Sequence, residues 1–230
     1  MANKDTAISK IDQVNTAFST SPIVKGLIDG GLSLIPFLGQ AITSALDTRA
    51  FQLFEQNSKS FAEEVKKLMD KVDESKVDKR FIHSTEFVSL LIDILARNAH
   101  THEEEKINLY AKLFVNFTKH GNSETPYKEG LIRIIDELGV EHIRILAFIK
   151  EKDKISTPKD GKSSTTDVQL HEIAQATGIP KSRVQAYCDQ MIRFGLLQDA
   201  AIGYFGYEPG SYAITEYGYE LTRFLTEQVS

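Results

Sequence analysis

The chain has 230 residues, of which 41% are hydrophobic and 26% charged, a balance typical of a folded protein with a buried core. Its formal net charge of −5 gives no overall positive field that would draw it to nucleic acid or anionic lipid. One cysteine, Cys188, excludes an intramolecular disulfide and a multi-cysteine zinc site. The first residues, MANKDTAISK, differ from a secretory signal, so we expect a cytoplasmic protein.

The most apolar part of the chain is residues 23–46, IVKGLIDGGLSLIPFLGQAITSAL. Pro36 and Gly39 interrupt it, which predicts two helices joined in a hairpin. The uncharged run from Gly30 to Leu46 would extend roughly 26 Å as a helix, less than a ~30 Å hydrocarbon layer. We therefore expect a hairpin buried in the core of the protein. A hairpin that inserts into a membrane is the alternative.

Apolar residues recur at helical spacing from this hairpin to about residue 138. The spacing predicts a helix that runs on to Leu68, followed by a helix over 81–99, a helix through 107–117 and a helix over 127–138. Thr101 and Glu104 have the spacing of a capping box at the start of the third of these helices. Residues 1–138 are thus expected to form an all-helical bundle.

The pattern changes at Gly139, where shorter elements and turn residues alternate. We expect a helix, a polar loop, a second helix from Val168 to Gly178 and a third helix that ends at Gly195. A strand should start at Leu196, and a second strand should return through residues 212–215 to form a two-stranded hairpin. A last helix, EYGYELTRFLTEQ, follows.

This order of elements resembles the winged helix-turn-helix family. The segment LHEIAQATGIPKSRVQAYCDQMIRFGLL is similar to the central motif of that family, and YAITEYGYEL to its second wing strand and closing helix. The resemblance implies a winged helix over residues 139–230. The predicted fold is therefore mainly α, with a helical bundle followed by a winged helix.

The N-terminal part is similar to a group of uncharacterised bacterial helical proteins. The similarity lies in SLIPFLGQAI and in EFVSLLIDILARNAHTHEEEKINLYAKLF. No activity is attached to that group, so this resemblance implies a fold alone.

The winged-helix resemblance implies where DNA would bind. In DNA-binding members the third helix enters the major groove with its N-terminal residues on the base edges. By position, these residues are Lys181, Ser182, Arg183 and Gln185. Arginine and glutamine side chains can make bidentate contacts to guanine and adenine. Ahead of the second helix, Lys162 and Thr165 are placed to contact phosphates. Such proteins usually bind as dimers, so we expect a homodimer.

Two features of the C-terminal part favour a different partner. Residues 139–230 contain ten Lys and Arg against twelve Asp and Glu, a formal charge of −2. Between Arg193 and Arg223 there is no Lys or Arg, and the predicted wing carries four aromatic residues, Tyr204, Phe205, Tyr207 and Tyr212.

Two hypotheses about function follow. The first is a DNA-associated regulator whose helical domain dimerises or senses a partner. The second is an interaction or membrane-associated effector, of a defence or stress type, in which the wing binds protein and the 23–46 hairpin contacts membrane.

The sequence contains none of the common catalytic motifs, such as a phosphate-binding glycine loop, a nucleophile elbow or an H-E-x-x-H zinc motif. We therefore expect neither an enzyme nor a bound cofactor. The cluster HTHEEE at residues 100–105 spans a predicted helix start, where carboxylates suit the helix dipole, so no metal site is expected there. Cys188 is expected to be a small core residue.

Overall fold

The computed structural model describes residues 48–98, 101–156, 167–200 and 210–226. The chain divides into two compact units, the first ending at Asp136 and the second beginning at Glu137. Within the described ranges the protein has nine α-helices and a single three-stranded antiparallel sheet, which confirms the mainly α class. No helix in these ranges combines the length and the apolar character that a membrane span requires. The predicted 23–46 hairpin lies outside the described residues.

The first unit is helical throughout its described length apart from short connections. Its helices are α1 (Thr48–Met69), a short 3-10 helix (Glu74–Lys76), α2 (Lys79–Ile82), α3 (Thr85–Asn98), α4 (Glu104–Phe117) and α5 (Lys128–Glu137). The predicted helices to Leu68, through 107–117 and over 127–138 are confirmed by α1, α4 and α5.

The core of the first unit is built around Phe114 of α4. Its ring centroid lies 5.8 Å from that of Phe61 on α1 and 4.9 Å from that of Phe87 on α3. All three side chains are at most 3% exposed. Tilted aromatic pairs at these separations are favourable beyond their buried area, so one phenylalanine joins three helices.

Two expectations for the first unit are wrong. The helix predicted over 81–99 is two helices, because the hydroxyl of Ser84 accepts a hydrogen bond from Phe87 N at 3.1 Å and so caps α3. The capping box of Thr101 and Glu104 does not form. The Thr101 hydroxyl instead donates to the carbonyl of Arg97 at 3.3 Å, and α4 begins after Glu103 without a side-chain cap.

The second unit alternates helices with short strands. Its elements are α6 (Val140–Ser156), β1 (Val168–Gln169), α7 (Leu170–Thr177), α8 (Lys181–Arg193), β2 (Leu197–Asp199), β3 (Ser211–Ile214) and α9 (Glu216–Thr226). The sheet has the order β1-β3-β2, and both pairings are antiparallel. Val168 is opposite Tyr212, and Leu197 is opposite Ile214.

The sequence predicted a two-stranded hairpin, but the sheet has a third strand, β1. Val168 and Gln169, which were expected to start a helix, pair with Tyr212 and Ser211 of β3. Glu172 ends the strand, since its Oε2 accepts from Gln169 N at 3.2 Å and so caps α7. A strand of two residues is too short to show alternation in a sequence, and its pairing residues lie more than 40 positions away.

Strand β2 and helix α9 meet in a close contact that requires a glycine. The Thr215 hydroxyl donates to Gly195 O at 2.6 Å, and Thr215 N donates to Leu196 O at 3.1 Å. A Cβ atom at Gly218 would collide with the Leu196 carbonyl oxygen. The start of α9 therefore packs directly against backbone, which no larger residue permits.

Candidate nucleic-acid interface

Helices α7 and α8 are joined by a tight turn over residues 178–180. Gly178 has φ 71°, in the left-handed region, and its N–H donates to Ala174 O at 3.0 Å, which ends α7 as the sequence predicts. The Pro180 carbonyl then accepts from Arg183 N at 2.9 Å and Val184 N at 3.0 Å, which starts α8. The two helices are thus connected by a three-residue turn.

Helix α8 has one buried face and one exposed face. Val184, Cys188 and Met191 are 0% exposed, and their spacing places them on the side that faces the core of the second unit. On its first two turns the residues singled out from the sequence are all exposed, namely Lys181, Ser182, Arg183 and Gln185. The structure thus brings these four side chains together at one helix end. Lys162 and Thr165 lie outside the described residues.

The two cations at this helix end are not used by the described part of the fold. Lys181 and Arg183 make no ion pair or hydrogen bond through their side chains with any described residue. Farther along the exposed face of α8, Asp189 and Arg193 carry opposite charges. Helices α7 and α8 with their turn, residues 170–193, therefore carry three cations and two carboxylates, and one of these carboxylates, Glu172, caps α7.

The first turn of α8 differs in charge from the first turns of the other helices of eight or more residues after α1. A glutamate lies in the first turn of α3, α4, α5, α6, α7 and α9. The first turn of α8 has no acidic residue, and it contains Lys181 and Arg183 instead. Cations at a helix N-terminus oppose the helix dipole by some tenths of a kcal/mol each, and an anion bound there would relieve this cost.

Sequence reasoning missed the residues that support α8 from behind. His142 of α6 is 5% exposed, and its Nε2 lies 3.1 Å from Oε1 of Gln190 on α8. The ring centroids of His142 and Tyr187 are 4.1 Å apart. The only signal in the sequence was the presence of one histidine at the start of α6, which gives no indication of its partner.

The described residues provide no reactive thiol or metal site near α8. Burial, with a smaller contribution from the charge of Asp189, raises the pKa of Cys188 to about 12, so the thiol stays protonated at neutral pH. No group of three His, Cys, Asp or Glu side chains with the arrangement of metal ligands occurs in the described ranges. The exposed side chains of Lys181, Ser182, Arg183 and Gln185 offer hydrogen bonds and positive charge.

Comparison of the chain with protein-family models, with curated proteins and with solved structures finds no match to any of them.

Proposed function

We propose that the second unit is a winged helix and that the protein is a DNA-associated regulator with α8 as the recognition helix. Three features support the fold proposal: the helix-turn-helix of α7 and α8, the strands β2 and β3 that follow it, and the antiparallel sheet order β1-β3-β2. A fold alone does not define a function, so the DNA proposal rests on the surface of α8.

The observation that carries the DNA proposal is the pair of exposed cations at the start of α8. The side chains of Lys181 and Arg183 form no ion pair or hydrogen bond with described residues. They lie at a helix N-terminus, which itself favours an anion. DNA offers phosphates and base edges within the same few ångströms, which matches this combination of charge and hydrogen-bonding groups.

Each exposed residue has a role in this proposal. Lys181 and Ser182 contact phosphate oxygens, since a flexible ammonium group and a hydroxyl fix position without reading sequence. Arg183 and Gln185, in the first two turns of the helix, read guanine and adenine in the major groove. The helical first unit contributes to dimerisation or to sensing a partner, so that two copies of α8 bind one site.

The low charge of the C-terminal part limits how much phosphate binding can contribute. Several of its carboxylates lie on α6 and α9, for example Glu141, Glu151 and Glu216, whereas the helix-turn-helix has a net charge of +1. We therefore expect weak non-specific binding and a shallow dependence on salt, with most of the discrimination coming from base contacts.

The test uses the full chain, treated with nuclease, and a random duplex library. Selection should return a preferred sequence with two half-sites about 10 base pairs apart, as expected for a dimer. Affinity for that duplex, measured between about 50 and 200 mM salt, should fall with rising salt. In Lys181→Ala the slope of log K against log salt should shrink by about one.

The matched control is Lys66→Ala, which removes an exposed lysine of α1 in the first unit. Its salt dependence should equal that of the unmodified protein. Failure of the library to yield any preferred duplex would contradict the proposal. So would a slope that Lys181→Ala leaves unchanged, and in that case protein or lipid becomes the partner to pursue.

A further inference from the structure

We infer that His142 and Gln190 are positioning residues that fix helix α8 on the first residues of the second unit. This inference concerns α8 in the free protein, and only its consequence for DNA rests on the proposed function. The residues that carry it are not part of the exposed face of α8, and they lie 48 positions apart in the chain.

The hydrogen bonds around His142 indicate which of its ring nitrogens carries the proton. Gly139 N donates to His142 Nδ1 at 3.1 Å, so Nδ1 is an acceptor and the ring proton is on Nε2. His142 Nε2 therefore donates to Gln190 Oε1 at 3.1 Å. The Gln190 amide group in turn donates from Nε2 to Glu137 O at 3.4 Å. Both functional ends of one histidine and one glutamine are thus used in a single chain of hydrogen bonds.

The same region of α8 is also held by packing. The ring of Tyr187 lies against that of His142 at an interplanar angle of 47°. Tyr187 and Gln190 are three residues apart, so both project from the side of α8 that faces residues 137–142. The hydrogen bonds of His142 to Gly139 and Gln190 are partly shielded from water, whereas the bond from Gln190 to Glu137 is exposed. These contacts restrain the rotation and tilt of α8.

Base contacts and phosphate contacts differ in how strongly they depend on the orientation of α8. A base contact by Arg183 or Gln185 needs the helix at one angle and depth in the groove. A phosphate contact by the long side chain of Lys181 tolerates a change in helix angle. Loosening α8 should therefore reduce specific binding much more than non-specific binding.

Gln190→Met tests the inference, because methionine keeps the length of the side chain and removes both hydrogen bonds. Hydrogen exchange of the free full-length chain is compared peptide by peptide. Amides of α8 should exchange roughly fivefold faster relative to those of α9, as expected when the bond to His142 is lost and the long, exposed bond to Glu137 contributes little. The same change at an exposed glutamine, Gln198→Met on β2, is the control and should leave α8 unaffected.

Two variants of His142 separate its hydrogen bonds from its ring. His142→Phe keeps a ring beside Tyr187 and should reproduce the fast exchange of Gln190→Met. His142→Gln keeps an acceptor and a donor and should restore slower exchange. Equal exchange of α8 in the unmodified chain, Gln190→Met and His142→Phe would overturn the inference, whatever the chain binds.

The consequence for DNA is measured separately on the selected duplex and on an unrelated duplex. For Gln190→Met we expect an affinity about tenfold lower for the selected duplex and within about twofold for the unrelated one. An equal fall on both duplexes would indicate that the variant merely lowers the folded fraction, and it would contradict a positioning role. If the chain binds neither duplex but the variants still show faster exchange in α8, the positioning role is supported and the proposed DNA function is contradicted.

Discussion

The cations of the first unit and those of α8 differ in what surrounds them. Lys128 of the first unit is 3% exposed, and its Nζ lies 2.8 Å from Glu86 Oε1 and 2.9 Å from Thr125 O. Arg97 likewise bridges two carboxylates, those of Asp93 and Asp136. Lys181 and Arg183 of α8 are exposed and have no such partners among the described residues. The first set serves the fold, and the second set is available to another molecule.

This difference has a direct energetic meaning. When one member of a buried ion pair is removed, the other member is left without a hydrogen-bonding partner. Each polar group left in this way costs about 1–3 kcal/mol. An exposed cation is hydrated before and after its replacement, so folding is barely affected. Stability and binding should therefore respond to different residues.

The largest effect on folding is expected at Gly218, in the same unit as α8. Gly218→Ala places a methyl group against the Leu196 carbonyl and should lower the free energy of unfolding by about 3 kcal/mol or more. Gly139→Ala is the control, since a Cβ atom there has ordinary contacts at 3.5 Å or longer. Urea unfolding measures both variants. Any loss of DNA binding in Gly218→Ala would be attributed to unfolding. A variant as stable as the unmodified chain would contradict the close contact at Gly218.

A smaller effect is expected at Lys128, and it tests the comparison of cations directly. Lys128→Met keeps an apolar side chain of similar length and removes the ammonium group from the Phe81 ring, Glu86 and Thr125. We expect a loss of about 2 kcal/mol in the free energy of unfolding. The same substitution at the exposed position, Lys181→Met, should change it by less than about 0.5 kcal/mol. Equal losses of unfolding free energy in Lys128→Met and Lys181→Met would contradict the claim that only the first lysine stabilises the fold.

The smallest effect concerns Asp78, whose pKa is lowered chiefly by the Ser123 hydroxyl, which donates to Oδ2 at 2.8 Å. Because the pKa of Asp78 is lower in the folded state than in the unfolded chain, its contribution to stability is complete above an unfolded value of about 3.9. That contribution is lost as the pH falls through the folded pKa. Ser123→Ala should therefore weaken the fall in stability below about pH 4.

Unfolding by urea at a series of pH values between about 3 and 6 measures this effect. The control is Ser89→Ala, which removes an exposed hydroxyl from α3. Its profile should follow that of the unmodified chain. Superimposable profiles for Ser123→Ala and the unmodified chain would show that Asp78 does not carry this dependence.

The amphipathic helices could be predicted from the sequence because their buried faces repeat at helical spacing. Phe54, Phe61 and Val65 of α1, for example, are buried at intervals of seven and four residues. The features that were wrong depend on contacts between distant residues or on a single cap. Strand β1 exists because Val168 pairs with Tyr212, and the break before α3 depends on Ser84.

The candidate site follows the same division. The exposed residues Lys181, Ser182, Arg183 and Gln185 could be selected by position in a helix-turn-helix, because the glycine and proline that bound its turn are visible in the sequence. The support behind α8 could not be predicted, since no local pattern connects His142 with Gln190.

The most direct test of the central claim measures folding and binding on one variant, Arg183→Ala. We predict an unchanged free energy of unfolding, together with a loss of about 1–3 kcal/mol in binding the selected duplex and relaxed preference at one base position. Urea unfolding and a titration of the duplex, followed by selection with the variant, provide the three values. An affinity for the selected duplex that Arg183→Ala leaves unchanged, or a fall in stability as large as the fall in binding, would contradict the account.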